Sequence, residues 1–208
     1  MRVGAGNFKP RALLLTALCC LQCLAGSGQW SSLGPQGGGA TAFTVHPESS
    51  SIVLLGSSNG AFRSTDGGQS WQRSSQGLAD PRVESLLRDP ADPNRILAAT
   101  QGGVFLSLDG GLSWQSSSQG LTDLFVEALA IDPANSEVLY AATHDGIFKS
   151  LQGGSEWFQS SQGIVLDRRV LNLAVSPSQN QTLYAVTLQF GVYKSVDGGN
   201  GPGFPPAR

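Results

Sequence analysis

Acidic residues recur at a fixed spacing in this sequence, and paired carboxylates are the groups that hydrolyse glycosidic bonds. Glu84 is followed by Glu127 and Asp80 by Asp123, in each case 43 residues later. A glycosidase needs two carboxyl groups that face each other across the sugar. The spacing offers four candidate carboxylates and marks no unique pair. The residues therefore support a glycoside hydrolase as one hypothesis without identifying its catalytic groups.

Two further pairs of polar residues are candidates for recognising a ligand. Arg168 and Arg169 form a doubled basic pair, which suits an acidic partner or a carboxylate. His144 and Asp145 are adjacent, and histidine titrates near neutral pH. Each pair also fits a solvated surface loop. The sequence has no Gly-rich phosphate loop, no G-x-S-x-G elbow and no Cys/His metal set, so we assign no catalytic residue, cofactor or metal site.

The elements that must position these residues are set by a repeated octapeptide. It begins at Ser64, Ser107, Ser150 and Ser195, so the copies are 43, 43 and 45 residues apart. A fixed period of this size is typical of the blades of a β-propeller. The residues that we assign to the structure of the octapeptide are Ser64, Asp66, Gly68, Trp71, Ser107, Asp109, Gly111, Trp114, Ser150, Gly154, Trp157, Ser195 and Asp197.

The octapeptide has the chemistry of a tight turn between two strands. Glycine adopts positive φ without a steric cost, and an Asp side chain accepts hydrogen bonds from nearby backbone amides. A Trp at a fixed offset can pack over the turn and bury a large apolar area. A catalytic or Ca²⁺-binding role for Asp66 and Asp109 is the alternative. We favour the turn because a catalytic group does not need to appear once in every repeat.

At these residues the chain resembles the Asp-box family, or bacterial neuraminidase repeat family, with the pattern S-x-D-x-G-x-[S/T]-W. The copies at Ser64 and Ser107 match it fully. The third copy departs at Gln152 and Glu156, and the copy at Ser195 lacks the second Ser/Thr and the Trp. The resemblance implies an all-β propeller of four-stranded antiparallel blades. The repeats are most similar to those of secreted photosystem II assembly-factor-like propellers, sortilin-like receptors and xyloglucan-cleaving glycoside hydrolases.

The first part of the chain has the pattern of an export signal. Basic residues precede an apolar run from Ala12 to Leu24, which is too short to span a bilayer comfortably, and small residues follow it. We predict a signal peptide over residues 1–25 and a secreted or periplasmic protein, with a retained anchor as the alternative. All three cysteines lie inside this segment, so the exported chain needs no disulfide.

The remaining chain is predicted to form about four blades. Each unit has four short strands bounded by Gly, Pro, Asn and Asp, except the last, which has three. Trp30–Leu33 looks like a detached fourth strand that could close a four-blade ring on the last unit. An arc or a fragment of a larger propeller is the alternative. The predicted bounds are 37–76, 77–119, 120–162 and 163–199, with a disordered or truncated end over 200–208.

Function is expected on the loops opposite the octapeptides, because loops on a rigid scaffold commonly carry binding residues. The net charge is −2 and the basic residues form no stripe, so we expect no nucleic-acid partner. A sialidase needs several converging arginines and an activated tyrosine, whereas the tyrosines here fall inside predicted strands. We favour a scaffold that binds another protein. The alternatives are a sialidase-like or xyloglucanase-like glycoside hydrolase and a non-catalytic remnant that binds glycans. The candidate binding residues are Arg82, Glu84, Phe125, Glu127, His144, Asp145, Arg168 and Arg169.

Overall fold

A computed structural model describes residues 31–35, 39–164 and 169–200. The chain divides into two units, Met1–Ser32 and Leu33–Arg208, and the description below concerns the second. The predicted signal peptide, Trp30, Arg168 and residues 201–208 lie outside the described residues. No helix in the described part of the chain has the length and apolar character that a bilayer crossing requires.

The described residues form four antiparallel sheets with no helix, which confirms the all-β prediction. We call the sheets blades A to D in chain order. Within each blade, neighbouring strands are consecutive in sequence; blades A to C have four strands and blade D has three. Blade A contains β1 (Ala40–His46), β2 (Ser49–Ser57), β3 (Gly60–Ser64) and β4 (Gln72–Arg73); blade B contains β5 (Val83–Arg88), β6 (Ile96–Thr100), β7 (Gly103–Ser107) and β8 (Gln115–Ser116); blade C contains β9 (Val126–Asp132), β10 (Asn135–Thr143), β11 (Gly146–Ser150) and β12 (Phe158–Gln159); blade D contains β13 (Val170–Val175), β14 (Leu183–Thr187) and β15 (Gly191–Ser195).

The apolar cores lie between successive blades. Every residue of β6 is buried, because blade A covers one of its faces and blade C the other. Small alanines in the second strands let neighbouring sheets approach closely, as dense interior packing requires. Between blades A and B, the core joins Leu54 and Ala61 to Ile96, Phe105 and Trp114. Between blades B and C, it joins Leu97 and Val104 to Leu129, Phe148 and Trp157. Between blades C and D, it joins Tyr140 and Ile147 to Leu173, Leu183 and Ala185.

The first octapeptide is a hydrogen-bonded turn between β3 and β4. The Ser64 hydroxyl donates to Asp66 Oδ1 at 2.7 Å and accepts from the Gly68 amide at 2.8 Å. The amide of Ser70 donates to Asp66 Oδ1 at 2.9 Å, and its hydroxyl to Oδ2 at 2.5 Å. Bonds from the Ser70 side chain, the Ser70 amide and Ser64 lower the pKa of Asp66 to about 2. The aspartate thus acts as a clamp on the turn.

The second octapeptide repeats this geometry. Asp109 accepts from the hydroxyl of Ser107 at 2.7 Å and from the amide and hydroxyl of Ser113 at 2.9 and 2.6 Å. Burial raises the pKa of Asp109, but the bonds from Ser113 and Ser107 outweigh it and bring the pKa to about 2. Both full copies of the motif therefore hold an ionised carboxylate in the same cage of donors.

The tryptophan of each octapeptide reaches beyond its own turn. The Trp114 indole N–H donates to the Ser74 carbonyl at 2.8 Å, and that of Trp157 to the Ser117 carbonyl at 2.7 Å. In both cases the acceptor belongs to the preceding blade. Trp71 makes the same bond at 3.0 Å to the carbonyl of Leu33, which precedes blade A. The sequence predicted a cover for the turn; the structure shows that the indole also fastens adjacent blades together.

The third octapeptide keeps its serine and loses its carboxylate clamp. The Ser150 hydroxyl still accepts from the Gly154 amide at 2.9 Å, but Gln152 replaces the aspartate. Arg95 of blade B supplies support from outside, because its Nη2 donates to the Gly153 carbonyl at 2.7 Å. This is how the turn persists without its Asp.

The same arginine belongs to a small polar network between blades B and C. Its Nη1 contacts Asp89 Oδ2 at 2.6 Å and the Ser136 carbonyl at 3.1 Å. The Ser136 hydroxyl donates to Asp89 Oδ1 at 2.6 Å. Burial raises the pKa of Asp89, but the hydrogen bonds from Ser136, Ala91 and Arg95 outweigh it and leave the pKa below its ordinary value.

Restoring the carboxylate clamp in the third octapeptide should stabilise the protein. We expect the double variant Gln152→Asp/Glu156→Ser to raise the free energy of unfolding by about 1 kcal/mol, since hydrogen bonds to a charged group stabilise by at least that much. Gln152→Asp alone should gain less, because Glu156 would stand beside the new carboxylate without a hydroxyl to donate. Urea unfolding of the native protein, both single variants and the double variant checks this. A double variant no more stable than Glu156→Ser would contradict the role of the clamp.

The two native clamps should also make stability depend on acid pH. Their folded-state pKa of about 2 lies below the ordinary aspartate value, so the stabilisation is present above about pH 4 and is lost as the pH falls towards 2. We expect Asp66→Asn/Asp109→Asn to be less stable at neutral pH and to lose less stability on acidification. Urea unfolding at about pH 5 and about pH 2.5 measures both effects. Asp92→Asn, at an exposed aspartate that accepts the Asn94 amide at 3.0 Å, is the control. Equal acid losses in native protein and double variant would contradict the prediction.

Candidate functional site

The loops opposite the octapeptides are held in shape by the last residue of each second strand. The Thr100 hydroxyl donates to the Gly103 carbonyl at 2.8 Å and accepts from the Gly102 amide at 3.0 Å. The Thr143 hydroxyl makes the equivalent bonds to Gly146 and Asp145, each at 3.1 Å. The β2–β3, β6–β7 and β10–β11 connections are therefore short and tightly folded. We call this side of the blades the loop face.

Glu127, at the start of β9, is the centre of the strongest polar cluster on the loop face. Its Oε1 lies 2.8 Å from His144 Nε2 and 3.0 Å from Arg169 Nη2. His144 comes from the β10–β11 loop of the same blade, whereas Arg169 immediately precedes β13 of blade D. The Glu127 side chain is 18 % exposed. The cluster thus crosses the seam between blades C and D and brings together three of the residues predicted from sequence.

Phe125 joins the cluster by stacking on His144. Their ring centroids are 3.9 Å apart, with an angle of 19° between the planes. The Phe125 amide donates to Asp123 Oδ1 at 3.0 Å, which fixes the loop that carries the ring. The other oxygen of Asp123 is buried and has no hydrogen-bond partner among the described residues. The stack and the contact with Glu127 give His144 a fixed orientation.

Glu84 in blade B occupies the position that Glu127 occupies in blade C. It pairs with Arg82 Nε at 2.8 Å and accepts from Gln101 Nε2 at 3.0 Å. Gln101 therefore plays the part of His144. The Arg82 amide also donates to Asp80 Oδ1 at 2.8 Å, as the Phe125 amide does to Asp123. Both glutamates are engaged in ion pairs, and both aspartates accept a turn amide.

Exposed apolar side chains occur in the loops that carry or adjoin the Glu127 cluster. Leu124 is 46 % exposed, Leu188 is 50 % exposed and Phe190 is 47 % exposed. The Leu188 amide donates to the Arg169 carbonyl at 3.1 Å, so the β14–β15 loop lies directly beside the arginine. We call the set Leu124, Phe125, His144, Arg169, Leu188 and Phe190 the C–D patch.

The binding residues predicted from sequence do not include Leu124, Leu188 or Phe190. A signal was present in the loop after β14. Three residues, Leu188 to Phe190, stand where blade B has Gln101 and Gly102 and blade C has His144 and Asp145. The extra residue and the apolar composition mark this loop as different from its equivalents. Arg168, also predicted, lies outside the described residues.

Tyr140 is buried and hydrogen-bonded between two blades. Burial raises the pKa of the Tyr140 phenol, with further contributions from Asp132 and Asp197. Its hydroxyl donates to the Gly198 carbonyl at 3.1 Å, in the seam between blades C and D. Tyr140 therefore lacks the character of an activated sialidase tyrosine. Among the described residues, no group of three or more His, Cys, Asp and Glu is placed to hold a metal ion.

Comparison with protein-family models gave no match, and comparison with curated proteins gave no match. Solved structures do match. An ancestral GH74 enzyme is 27 % identical, with a TM-score of 0.65 over 81 % of this chain and 24 % of its own. The GH74 xyloglucanase of Xanthomonas campestris is 19 % identical, with a TM-score of 0.65 over 85 % of this chain and 32 % of its own. YCF48 bound to D1 peptide is 15 % identical, with a TM-score of 0.55 over 80 % of this chain and 54 % of its own.

These neighbours are β-propellers, and the four sheets of this chain are blades of a partial propeller. The chain spans 24 % and 32 % of the length of these two GH74 enzymes. The propeller fold predicted from the 43-residue period is confirmed. Membership of the Asp-box family stays a prediction that rests on the octapeptides.

Proposed function

We propose that this protein is an exported binding module that recognises a segment of another protein through the C–D patch. The observation that supports this most directly is the Phe125–His144 stack on the Glu127–Arg169 pair, with exposed Leu188 bonded beside Arg169. Exposed Leu124 precedes Phe125 in sequence, and exposed Phe190 belongs to the same loop as Leu188. Exposed apolar groups gathered on one surface are typical of interaction sites. Aromatic rings and arginine are also the residues that most often dominate the energy of protein interfaces.

The charges of the patch suit a partner segment that combines an apolar side chain with a carboxylate. The Arg169 side chain is 42 % exposed although it contacts Glu127, so part of the guanidinium faces solvent. Arg82, in the equivalent position of blade B, is 54 % exposed. Arginine binds carboxylates through paired N–H groups, and such bonds are stronger than neutral ones. An acidic residue next to a Leu or Phe is the sequence that we expect in a bound peptide.

The state of the glutamates favours binding over hydrolysis. A retaining glycosidase uses one carboxylate as nucleophile and a second carboxyl group as acid. Here Glu84 is occupied by Arg82 and Gln101, and Glu127 by His144 and Arg169. One structural neighbour is YCF48 bound to D1 peptide, and this supports peptide binding as the function of the present chain. Export is proposed from the predicted signal peptide.

A random peptide library displayed on phage and selected on the purified protein tests the C–D patch. We expect enriched peptides with an acidic residue beside an apolar one, and a loss of affinity of about tenfold or more in Phe190→Ala and in Arg169→Glu. Phe190→Ala leaves the Glu127 ion pairs in place, so it separates the patch from the cluster. Arg73→Glu, at an exposed arginine of β4, is the matched control. No enrichment, or equal affinity in all variants, would contradict the proposal.

Glycan binding or hydrolysis is the second candidate, and one observation favours it. The ancestral GH74 enzyme is a structural neighbour at 27 % identity over 81 % of this chain. Under this alternative, Glu84 and Glu127 would be the carboxylates that act on the sugar.

Assays on xyloglucan and on sialosides distinguish the two candidates. We expect no turnover by the native protein above that of the double variant Glu84→Gln/Glu127→Gln, because both carboxylates are taken up in ion pairs. Release of reducing sugar and of sialic acid is the measurement. Turnover by the native protein that the double variant lacks would establish the hydrolase and reject the binding module as the sole function.

A further inference from the structure

The first and last blades each expose an apolar face. On blade A, Phe43 is 71 % exposed and Val45 is 43 % exposed. On blade D, Tyr184, Val186 and Val192 are 41 %, 39 % and 66 % exposed. We call these the A face and the D face. Apolar surface of this extent on a sheet is a binding surface or an aggregation liability.

The exposed residues of the D face stand at positions that are buried between blades elsewhere in the chain. Strand pairing aligns Tyr184, Val186 and Val192 of blade D with Leu97, Ala99 and Val104 of blade B. These three blade B residues are 0 % exposed, because blade C packs on them. The D face is therefore the surface of a blade that is shaped to receive a following blade.

The A face is the complementary surface. Phe43 pairs with Leu55 in blade A as Leu129 pairs with Ala141 in blade C. Leu129 is 7 % exposed and packs against the residues of blade B named above. Phe43 thus occupies the position through which a blade packs on the one before it. The two exposed faces of this chain are the two halves of one blade-to-blade interface.

A polar pair on the D face repeats an arrangement that is used inside the chain. In blade C, Lys149 Nζ and the Tyr140 hydroxyl donate to the Gly198 carbonyl of the next octapeptide, at 2.9 and 3.1 Å. Tyr184 and Lys194 stand in the equivalent positions of blade D, with the ammonium 5.7 Å from the ring centroid. The D face therefore presents donors for the carbonyl of an incoming octapeptide. In the octapeptide of blade A, Gly67 holds the position equivalent to Gly198.

Blade D also lacks the tryptophan that fills the other seams. In blades B and C, the Trp114 and Trp157 carbonyls approach Gly77 and Gly120 so closely that a Cβ there would stand 1.9 and 2.1 Å from oxygen. Nothing lies within 4 Å of the same point at Gly163. A cavity of about 390 Å³ opens there instead; its lining includes Gly163, Ile147, Ala185, Tyr193 and Asp197. This is where a strand that begins with a tryptophan would enter.

A segment before blade A has the matching sequence. Residues 30–33 read Trp-Ser-Ser-Leu, and Trp114-Gln-Ser-Ser begins the fourth strand of blade B. The Leu33 carbonyl accepts the Trp71 indole at 3.0 Å, as the Ser74 carbonyl accepts that of Trp114. Leu33 therefore holds the place at which the fourth strand of a preceding blade ends. Trp30 itself lies outside the described residues.

We propose that two copies of this chain associate head to tail, with the A face of each packed on the D face of the other. Leu33, which precedes blade A, then lies at the edge of the other copy's blade D that has no fourth strand. The partner is a second copy because Phe43 and Val192 are both exposed in one chain, so its own end faces do not meet. The four described blades of each copy then make a ring of eight, which lies within the usual range of about four to eight blades. A head-to-tail contact that closes into a ring leaves neither the A face nor the D face exposed.

Sedimentation equilibrium tests the association in the native protein. We expect a species with twice the mass of one chain, and no larger assembly. Phe43→Asp and Val192→Asp should each raise the dissociation constant at least about a hundredfold, because each would bury an unpaired charge in an apolar seam. Both positions are exposed in the single chain, so the variants keep its fold, which circular dichroism confirms. Leu188→Asp, at another exposed apolar position, in the C–D patch, is the control and should remain a dimer.

Mixing the two monomeric variants tests the head-to-tail arrangement. In a mixed pair, one interface carries both substitutions and the other carries none, so we expect dimers to reappear in the mixture. Two A faces packed together would instead leave Val192→Asp dimeric, and that result would overturn the proposal. A monomeric native protein, an open-ended polymer, or a dimer unaffected by both substitutions would overturn it as well.

Discussion

The indole N–H of each octapeptide tryptophan donates to a carbonyl of the chain just before its own blade, and the spacing of the blades depends on this bond. It brings the backbone so close that Gly77 and Gly120, both at positive φ, have no room for a side chain. The tryptophan thereby fixes the distance between sheets, and the sheets bury their small second-strand residues only at that distance. A blade in this chain has no core of its own; its core is shared with its neighbours.

Much of the fold could be predicted from the sequence because the period and the turn chemistry are local. The strands of each unit are recognisable as β-branched and apolar runs between Gly, Pro and Asp, and the octapeptides mark where the third strands end. What the repeat pattern could not show is which blade a recurring side chain contacts. Trp114 was assigned to its own turn, whereas its polar end contacts the preceding blade. Spacing along a chain gives equivalent positions, and contacts across a seam depend on how sheets pack.

The candidate site shows the same limit. The period identified Glu84 and Glu127 as equivalent, and their partners on the following loop, Gln101 and His144, are equivalent too. The second partners differ: Arg82 belongs to the same blade as its glutamate, but Arg169 comes from the next one. A repeat pattern cannot show this difference, because it arises from the path of the chain between blades. The apolar β14–β15 loop, by contrast, was visible as a one-residue departure from the period.

Arg95 has a consequence for how the molecule opens. It belongs to blade B, yet it bonds Gly153 and Ser136 of blade C, and Ser136 returns a bond to Asp89 of blade B. Separating the two blades breaks this whole set of bonds at once and exposes the apolar core between them to water. Blades B and C therefore form a single cooperative unit, and their backbone amides should be the last to exchange with solvent. In a single copy, blades A and D are each covered on one face only, so they should open before blades B and C.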